Sequence, residues 1–374
     1  MSFSRILGKA AVAASTRRLL SQAAFSLVGW LCLAGICQAA QNPQGDLRIY
    51  VIDVEGGQST LFVTPSHHSL LIDTGWPDHQ DRDASRIVAA AKSAGLTRID
   101  DVLLTHYHVD HTGGVPQLVA RIPVGTFIDH GPNRQTTDRS TEAAYEAYQK
   151  VLASGHYRHI VAHPGQMLPV PGLSIHVLTA DGNFISHPLP GAGEPDPYCK
   201  VSETRPPDQT ENARSVGVLI DWGRLRILDL GDLTWDREMD MMCPVNRIGH
   251  VDVLIVSHHG WYQSSSPALV DAIDPLVAVM DNGATKGGSK PTIATIRHIP
   301  GLAALWQLHY SEEAGPENTP AEYIANLQGP DAGNGLELTV ERNGTFSVFN
   351  PRTGETKRYS IAAQPAKLRS VSGR

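Results

Sequence analysis

His106-Tyr107-His108-Val109-Asp110-His111 sets four side chains with metal-ligand chemistry into six consecutive residues, just ahead of Gly113-Gly114. The stretch before it, Asp101 to Thr105, reads as a buried strand, because Val102, Leu103 and Leu104 are adjacent apolar positions. In an extended segment residues two apart point the same way. His106 and His108 can therefore share one ion, and a following turn swings Asp110 and His111 toward a second. Imidazole and carboxylate donors suit Zn2+, with Mn2+ or Fe2+ as alternatives. A lone histidine has an ordinary reading as a surface or hydrogen-bonded residue; four such ligands in one short segment do not.

Upstream, three short strands are predicted at Leu47 to Val54, Ser59 to Thr64 and His68 to Asp73, the last closed by Thr74-Gly75. A helix follows from Ala84 to Ala94 and ends at Gly95. Downstream, Thr141 to Ala153 reads as a helix and Leu173 to Thr179 as a strand. Between Asp181 and Asn212 six prolines, with few core-forming residues, predict a long loop, either a functional lid or a disordered insertion. Ser215 to Asp221 and Leu225 to Leu230 form a hairpin through Trp222-Gly223, and Val251 to Ser257 is another buried strand. Helices at Ser266 to Ile273 and Pro291 to Arg297 flank a strand at Leu276 to Met280. From Leu336 to Ile361 the pattern is of hairpins turned by Asn343-Gly344 and Thr353-Gly354.

Of 374 residues 41% are apolar and 18% charged, which excludes disordered, collagenous and multispanning membrane classes. Four cysteines against 17 histidines exclude a disulfide scaffold and direct attention to imidazole chemistry. Arg5, Lys9, Arg17 and Arg18 precede an apolar run from Leu19 to Ile36, and Cys37-Gln38-Ala39 supplies small residues for cleavage. Residues 1–39 are thus expected to be a signal peptide, leaving a periplasmic or secreted protein without a membrane anchor. Thr16-Arg17-Arg18-Leu19-Leu20 also resembles a twin-arginine export signal. Removing those four bases and no acid takes the formal charge from -7 to -11. Such a surface repels polyanions, so a small-molecule substrate is expected and extended nucleic acid is not. Cys199 and Cys243 would remain after cleavage, free or paired.

The cluster His106-x-His108-x-Asp110-His111 resembles the defining motif of the metallo-β-lactamase superfamily, and other stations of that family follow in order. Leu70-Leu71-Ile72-Asp73-Thr74-Gly75 resembles its first motif, where the Asp orients a ligand. Leu230-Gly231-Asp232 resembles the motif whose carboxylate bridges two metals. Val256-Ser257-His258-His259-Gly260 resembles the last histidine motif, in the double-histidine form of the branch related to the competence-protein hydrolase domain and to phosphorylcholine esterases. The resemblance implies an α/β fold with mixed sheets, a four-layer αββα sandwich. It places the hydrolase domain at residues 40–310, with residues 311–374 as a β-rich C-terminal extension packed on it.

It further implies two divalent ions held by His106, His108, Asp110, His111, Asp232 and His259, and a metal-bridging hydroxide as nucleophile. Asp110 would orient that nucleophile and accept its proton, and His258 would hydrogen-bond or protonate the substrate or simply brace the loop. The family usually places one more histidine immediately ahead of the strand at Ser215 to Asp221, and none stands there. His130, His176, Asp181 and His187 are the nearby substitutes, with His176 expected to point into the core. The double-histidine form favours a phosphodiester or other small ester, ahead of a lactone or thioester and of a non-catalytic metal-containing binding protein of the envelope. A redox diiron role disagrees with His108, where that branch carries Glu. Asn282 to Ser289 can cradle an anion through backbone N–H groups and Lys286 or serve as a plain turn. Trp261, Tyr262 and Ser264 to Ser266 can line a pocket.

Overall fold

The computed structural model describes residues 45–77 and 79–361. The signal peptide expected at residues 1–39 lies outside them. The first half contributes strands β1 (Leu47–Val51), β2 (Thr60–Val63) and β3 (Ser69–Ile72), helix α1 (Arg82–Ser93), β4 (Ile99–Leu103), helices α2 (Val109–Thr112) and α3 (Val115–Val119), β5 (Val124–Asp129), α4 (Arg139–Ala153) and β6 (Arg158–Val161). The second contributes β7 (Met167–Leu168), β8 (Ser174–Ala180), β9 (Asn183–Phe184), β10 (Gly217–Trp222), β11 (Leu225–Asp229), α5 (Trp235–Met242), β12 (Val253–Ile255), α6 (Pro267–Ile273), β13 (Val277–Met280), α7 (Lys290–Arg297), β14 (Ala304–His309) and β15 (Ile324–Asn326). Strands β16 (Leu336–Val340), β17 (Thr345–Asn350) and β18 (Glu355–Ser360) close the described chain.

These strands form two mixed sheets. One runs β18-β17-β16-β1-β2-β3-β4-β5-β6, and the other runs β15-β14-β13-β12-β11-β10-β8-β7, with β9 paired to β8. In the first, β3, β4, β5 and β6 are parallel. In the second, β11 through β15 are parallel. The C-terminal hairpins join the first sheet edge-on, since β16 pairs antiparallel with β1 from Leu47 opposite Val340 to Val51 opposite Leu336.

Side-chain alternation explains why the sheets stack. In β4, Leu103 joins one buried cluster and Val102 another; in β12, Val253 and Ile255 face one way and Leu254 the other. The shared cluster lies between the sheets and draws Leu70, Ile72 and Leu103 from the first and Ile220, Ile227, Val253 and Trp306 from the second. The outer face of the first sheet is covered by Ile87 and Ala91 of α1, Leu118 of α3 and Tyr148 of α4. The outer face of the second is covered by Leu269 and Ile273 of α6 and Ile293 and Ile296 of α7. Three cores separating helices, sheet, sheet and helices make the four layers of an αββα sandwich. Strands covered on both faces are why the sequence shows continuous apolar runs there instead of alternation.

Two readings of the sequence change. Residues 181–212 are not a bare loop: β9 pairs back on β8, a 3-10 turn spans Pro197–Lys200, and Cys199 is disulfide-bonded to Cys243 with Cα atoms 5.8 Å apart. Backbone bonds from Leu189 to Arg247, from Gly193 to Asn246 and from Asp196 to Pro244 lace the same stretch to the segment after α5. His176 does not point into the core. It is half-buried on β8, with its Nε2 3.5 Å from Asp221 on the neighbouring strand.

Helix α4 begins with a side-chain cap. Asp138 accepts from the Thr141 backbone N–H at 2.8 Å and from the Ser140 hydroxyl at 2.6 Å, and these bonds hold its carboxyl down to about 2. Removing the cap by Asp138→Ala is expected to cost about 1 kcal/mol at pH 7, the usual worth of such a cap. A folded pKa below the unfolded value of roughly 3.9 means the charged cap stabilises above about pH 4 and loses its effect as pH falls toward 2. Urea midpoints of both proteins measured across that range should converge; a gap constant with pH would exclude the cap as its cause.

Candidate metal centre

The parallel strands of both sheets deliver their carboxyl ends to one place, where open α/β architectures build their sites. Strand β3 ends at Asp73, β4 leads into His106, β11 into Asp232, β12 into His258 and His259, and β13 into Asp281. The sheets are stitched together here by the Val216 N–H, which donates to the Thr105 carbonyl, and the ends of β11 and β12 are joined by the His258 N–H, which donates to the Gly231 carbonyl. Close approach demands glycine: a Cβ on Gly114 would lie 2.1 Å from the Thr74 carbonyl oxygen, and one on Gly287 2.2 Å from that of His259. Asp73, His258 and His259 all sit in the left-handed region, with φ of 60°, 56° and 53°, at a cost of order 1–3 kcal/mol each.

The ligand-type side chains fall into two groups that share Asp232. His106, His108 and Asp232 form one; Asp110, His111, Asp232 and His259 form the other, and in each group the donor atoms lie within 4.8 Å of one another. In the second group His111 Nε2 is 3.3 Å from Asp232 Oδ2 and 3.4 Å from Asp110 Oδ2. His259 Nε2 is 3.4 Å from Asp232 Oδ1 and 3.3 Å from Asp110 Oδ2. All of the histidines but His108 are buried.

Hydrogen bonds around the groups set the tautomers. Asp73 Oδ2 accepts from His111 Nδ1 at 2.7 Å and from the Thr105 hydroxyl at 2.7 Å. The Thr105 oxygen, its proton committed to Asp73, accepts from His106 Nδ1 at 3.0 Å. Gln135 Oε1 accepts from His108 Nε2 at 3.0 Å. The inward nitrogens of His106, His108 and His111 are therefore bare lone pairs: His106 Nε2 faces His108 Nδ1 at 3.1 Å, and His111 Nε2 faces His259 Nε2 at 3.2 Å. Two neutral acceptors at that distance repel unless a cation stands between them. The residues present thus fit divalent metal ions on their own chemistry.

The charges agree. Burial opposes ionisation of Asp232, but His111, His258 and His259 hold its carboxyl well below the usual range. Burial likewise opposes Asp110, which Lys286 and His111 overcome. His106 is pushed down by burial and by the neighbouring His111 and His108. Burial also works against a charged His259, yet Asp232 and Asp281 carry it up to about 10, so these carboxylates draw to its ring a positive charge that a bound cation would supply in the proton's place. His258 is held down to about 4 by burial despite Asp232, so it is neutral at pH 7. Its Nε2 lies 3.2 Å from the Asn212 amide and 3.5 Å from Asp232, and its Nδ1 lies 3.3 Å from the Ser264 hydroxyl.

No histidine joins the first group from the stretch ahead of β10, where Ser215 lies. This buried hydroxyl lies 3.5 Å from His106 Nδ1 and accepts from the Asp232 backbone N–H at 3.2 Å. None of the nearby substitutes joins the ligand groups. His130 is bound to Glu211 at 2.8 Å, Asp181 pairs with Arg134, His176 pairs with Asp221, and His187 is exposed. Lys286 reaches the centre as an ion-pair partner of Asp110 and donates to the Gly56 carbonyl at 2.7 Å.

Several participants escape sequence reasoning. Glu211 is fully buried, accepts from the backbone N–H groups of Tyr107 and Arg134, and thereby positions the loop that carries Gln135. Asp281 stands 3.4 Å from His259 Nδ1 as an ion-pair partner, without the hydrogen bond that Asp73 makes to His111. Its signal was legible: an Asp ends an apolar strand at Ile72-Asp73, Leu228-Asp229 and Met280-Asp281 alike. Beside the centre, a cleft of about 460 Å3 is lined by Arg205, Thr234, Trp235, Asp236 and Tyr262, among others, with the Arg205 guanidinium 3.6 Å above the Trp235 ring. Tyr262 is thus a pocket residue, while Ser264 to Ser266 are buried beneath it.

Comparison with known proteins gives a consistent picture. The chain is 25% identical over 257 residues to the competence protein ComA of Neisseria gonorrhoeae, a match covering 69% of this chain and 30% of that one. It is 41% identical over 83 residues to a hydroxyacylglutathione hydrolase of Stenotrophomonas maltophilia, covering 22% of this chain and 31% of the relative. It is 37% identical over 67 residues to an atrochrysone carboxyl ACP thioesterase of Aspergillus fumigatus, covering 18% and 15%. The matched stretches therefore span a third or less of these relatives. Among solved structures it is similar to the metallo-beta-lactamase fold protein YhfI of Bacillus subtilis, at 15% identity and a TM-score of 0.42, covering 78% of this chain and 99% of that one. Residues 53–193, the stretch that holds Asp73 and the His106 to His111 cluster, match the family model described as the metallo-beta-lactamase superfamily.

Proposed function

We propose that this chain is an exported, metal-dependent hydrolase of a phosphodiester or another small ester. The observation that carries the reading is the pair of lone-pair contacts, His106 to His108 and His111 to His259, on either side of the shared Asp232 carboxylate. Divalent ions held there, Zn2+ by the donor set, supply Lewis acidity and make a water acidic enough to attack at neutral pH. Asp232 belongs to both groups, with Oδ2 3.8 Å from His106 Nε2 in one and 3.3 Å from His111 Nε2 in the other, and Oδ1 3.4 Å from His259 Nε2. Asp110 is the carboxylate that can accept a proton from the attacking water, and Lys286 beside it favours its ionised form. His258, neutral and steadied by Asn212 and Ser264, is the polar group at the edge able to contact the leaving oxygen.

Export is supported by the basic and apolar N-terminal sequence and by the Cys199–Cys243 disulfide, which suits an oxidising compartment. A charge of -11 after cleavage favours a small substrate over extended nucleic acid. A second reading, a thioester substrate, is favoured by the match to a thioesterase among the curated relatives.

Two experiments test this. Metal-quantified mature protein should turn over bis-p-nitrophenyl phosphate or phosphorylcholine esters, and the activity should fall at least 100-fold in His108→Ala. Thioester turnover without phosphodiester turnover would transfer the assignment to the second reading, and full activity in His108→Ala would end both. Asp73→Asn should leave the circular dichroism spectrum intact but weaken metal affinity about 10- to 100-fold, the usual effect of losing a carboxylate that orients a ligating histidine. Competition with a chromophoric chelator reads this directly, and an unchanged affinity would show that Asp73 does not set the ligand geometry.

A further inference from the structure

A second cavity, of about 330 Å3, lies between residues 191–198, the turn at Asn246–His250, and the end of α6 with Pro300. Its walls are fixed: the Cys199–Cys243 disulfide, the bonds from Gly193 to Asn246 and from Asp196 to Pro244, and the Asn246 amide on the Ala272 carbonyl hold them together. Four acidic side chains line it, Glu194, Asp196, Asp271 and Asp274, and no lysine or arginine does so among the described residues. None of the four forms an ion pair there with lysine or arginine, although acids elsewhere in this protein commonly do.

Two of these carboxylates are left incomplete. Asp196 is only 6% exposed; its Oδ1 accepts from the Tyr198 N–H at 2.8 Å, but its Oδ2 is buried with no partner. Asp271 Oδ1 is also buried without a partner. Burying a carboxylate oxygen unpaired is costly, and the protein places two of them on one cavity. We propose that this cavity binds a small organic polycation, a diamine or polyamine whose ammonium groups meet Asp196 and Asp271 and whose methylene chain lies on Ala272 and Pro300. A bare metal ion fits less well. Among the described residues, no group of three or more ligand atoms within 4.8 Å of one another includes Asp271 or Asp274, so the cavity offers no cage for an ion. Consistent with unrelieved charge, burial and then Asp274 push the Asp271 carboxyl up to about 6.

The site is separate from the metal centre, and its test does not depend on hydrolysis. Calorimetric titration of the full mature protein with spermidine and with putrescine should give saturable binding, with no response to 1,4-butanediol. Asp271→Asn, which removes no hydrogen bond, and Asp196→Asn should each weaken binding at least tenfold. Glu355→Gln at an exposed distant position and His108→Ala at the metal centre should leave it unchanged. Absence of saturable amine binding, wild-type affinity in both cavity variants, or saturation by Ca2+ with exclusion of the amines would each overturn the proposal.

Discussion

Everything at the metal centre depends on the hydrogen bonds that one buried carboxylate accepts. Asp73, at the end of β3, accepts from His111 directly and from Thr105, and Thr105 in turn accepts from His106. Both imidazoles are thereby forced into the tautomer that leaves Nε2 bare toward Asp232. Without that acceptor each ring could turn its proton inward, and the donor set would lose its affinity for a cation. Asp73 is fully buried, and burial raises its pKa; His111, the Thr105 hydroxyl and the Thr105 backbone N–H oppose part of that rise. The carboxylate and the imidazoles each make the other's state affordable.

This arrangement needs both sheets. The Thr105 carbonyl accepts from Val216, just ahead of β10, and Ser215 beside it touches both His106 and the Asp232 backbone. A single short hydroxyl thus links a ligand of one sheet to the backbone of the carboxylate of the other. The first group consequently has three protein ligands where the second has four. That asymmetry leaves more coordination open at the side facing His108, the one half-buried member of the cluster.

What could be read beforehand follows from chain distance. His106 to His111 are neighbours, so their spacing alone states their chemistry, and strands buried on both faces announce themselves as apolar runs. Asp232 and His259 came only through resemblance to family motifs, since no local rule joins residues so far apart. Glu211 and Asn212 sit at the end of a proline-rich stretch that looks structureless, yet Glu211 meets the Tyr107 backbone across 104 positions and Asn212 meets His258 across 46. Lys286 reaches Asp110 across 176 positions, from a segment legible only as a turn or an anion cradle. His176 misled for a different reason: strand periodicity gives two faces without saying which is covered, and an acidic neighbour on β10 decided it.

Charge balance links these pieces. Asp73, Asp110, Asp229, Asp232 and Asp281 are all nearly inaccessible at this end of the sandwich, and Lys286 is the lysine beside them. Five buried negative charges against one positive would be prohibitive in a low-dielectric interior. Part of the imbalance is avoided by protonation: burial pushes Asp229 up to about 7, so near neutrality it is partly a neutral carboxyl, fixed by the Gln58 amide at 2.7 Å. Asp73 and Asp281 address their charge to the imidazoles of His111 and His259. The remainder, Asp110 and Asp232, converges where the bare nitrogens converge. A dication there satisfies carboxylates and lone pairs at once, whereas protonating the imidazoles would satisfy only the carboxylates and set His111 and His259 against each other at 3.2 Å. The fold has therefore placed its electrostatic deficit at the one point where metal-ligand donors are already assembled.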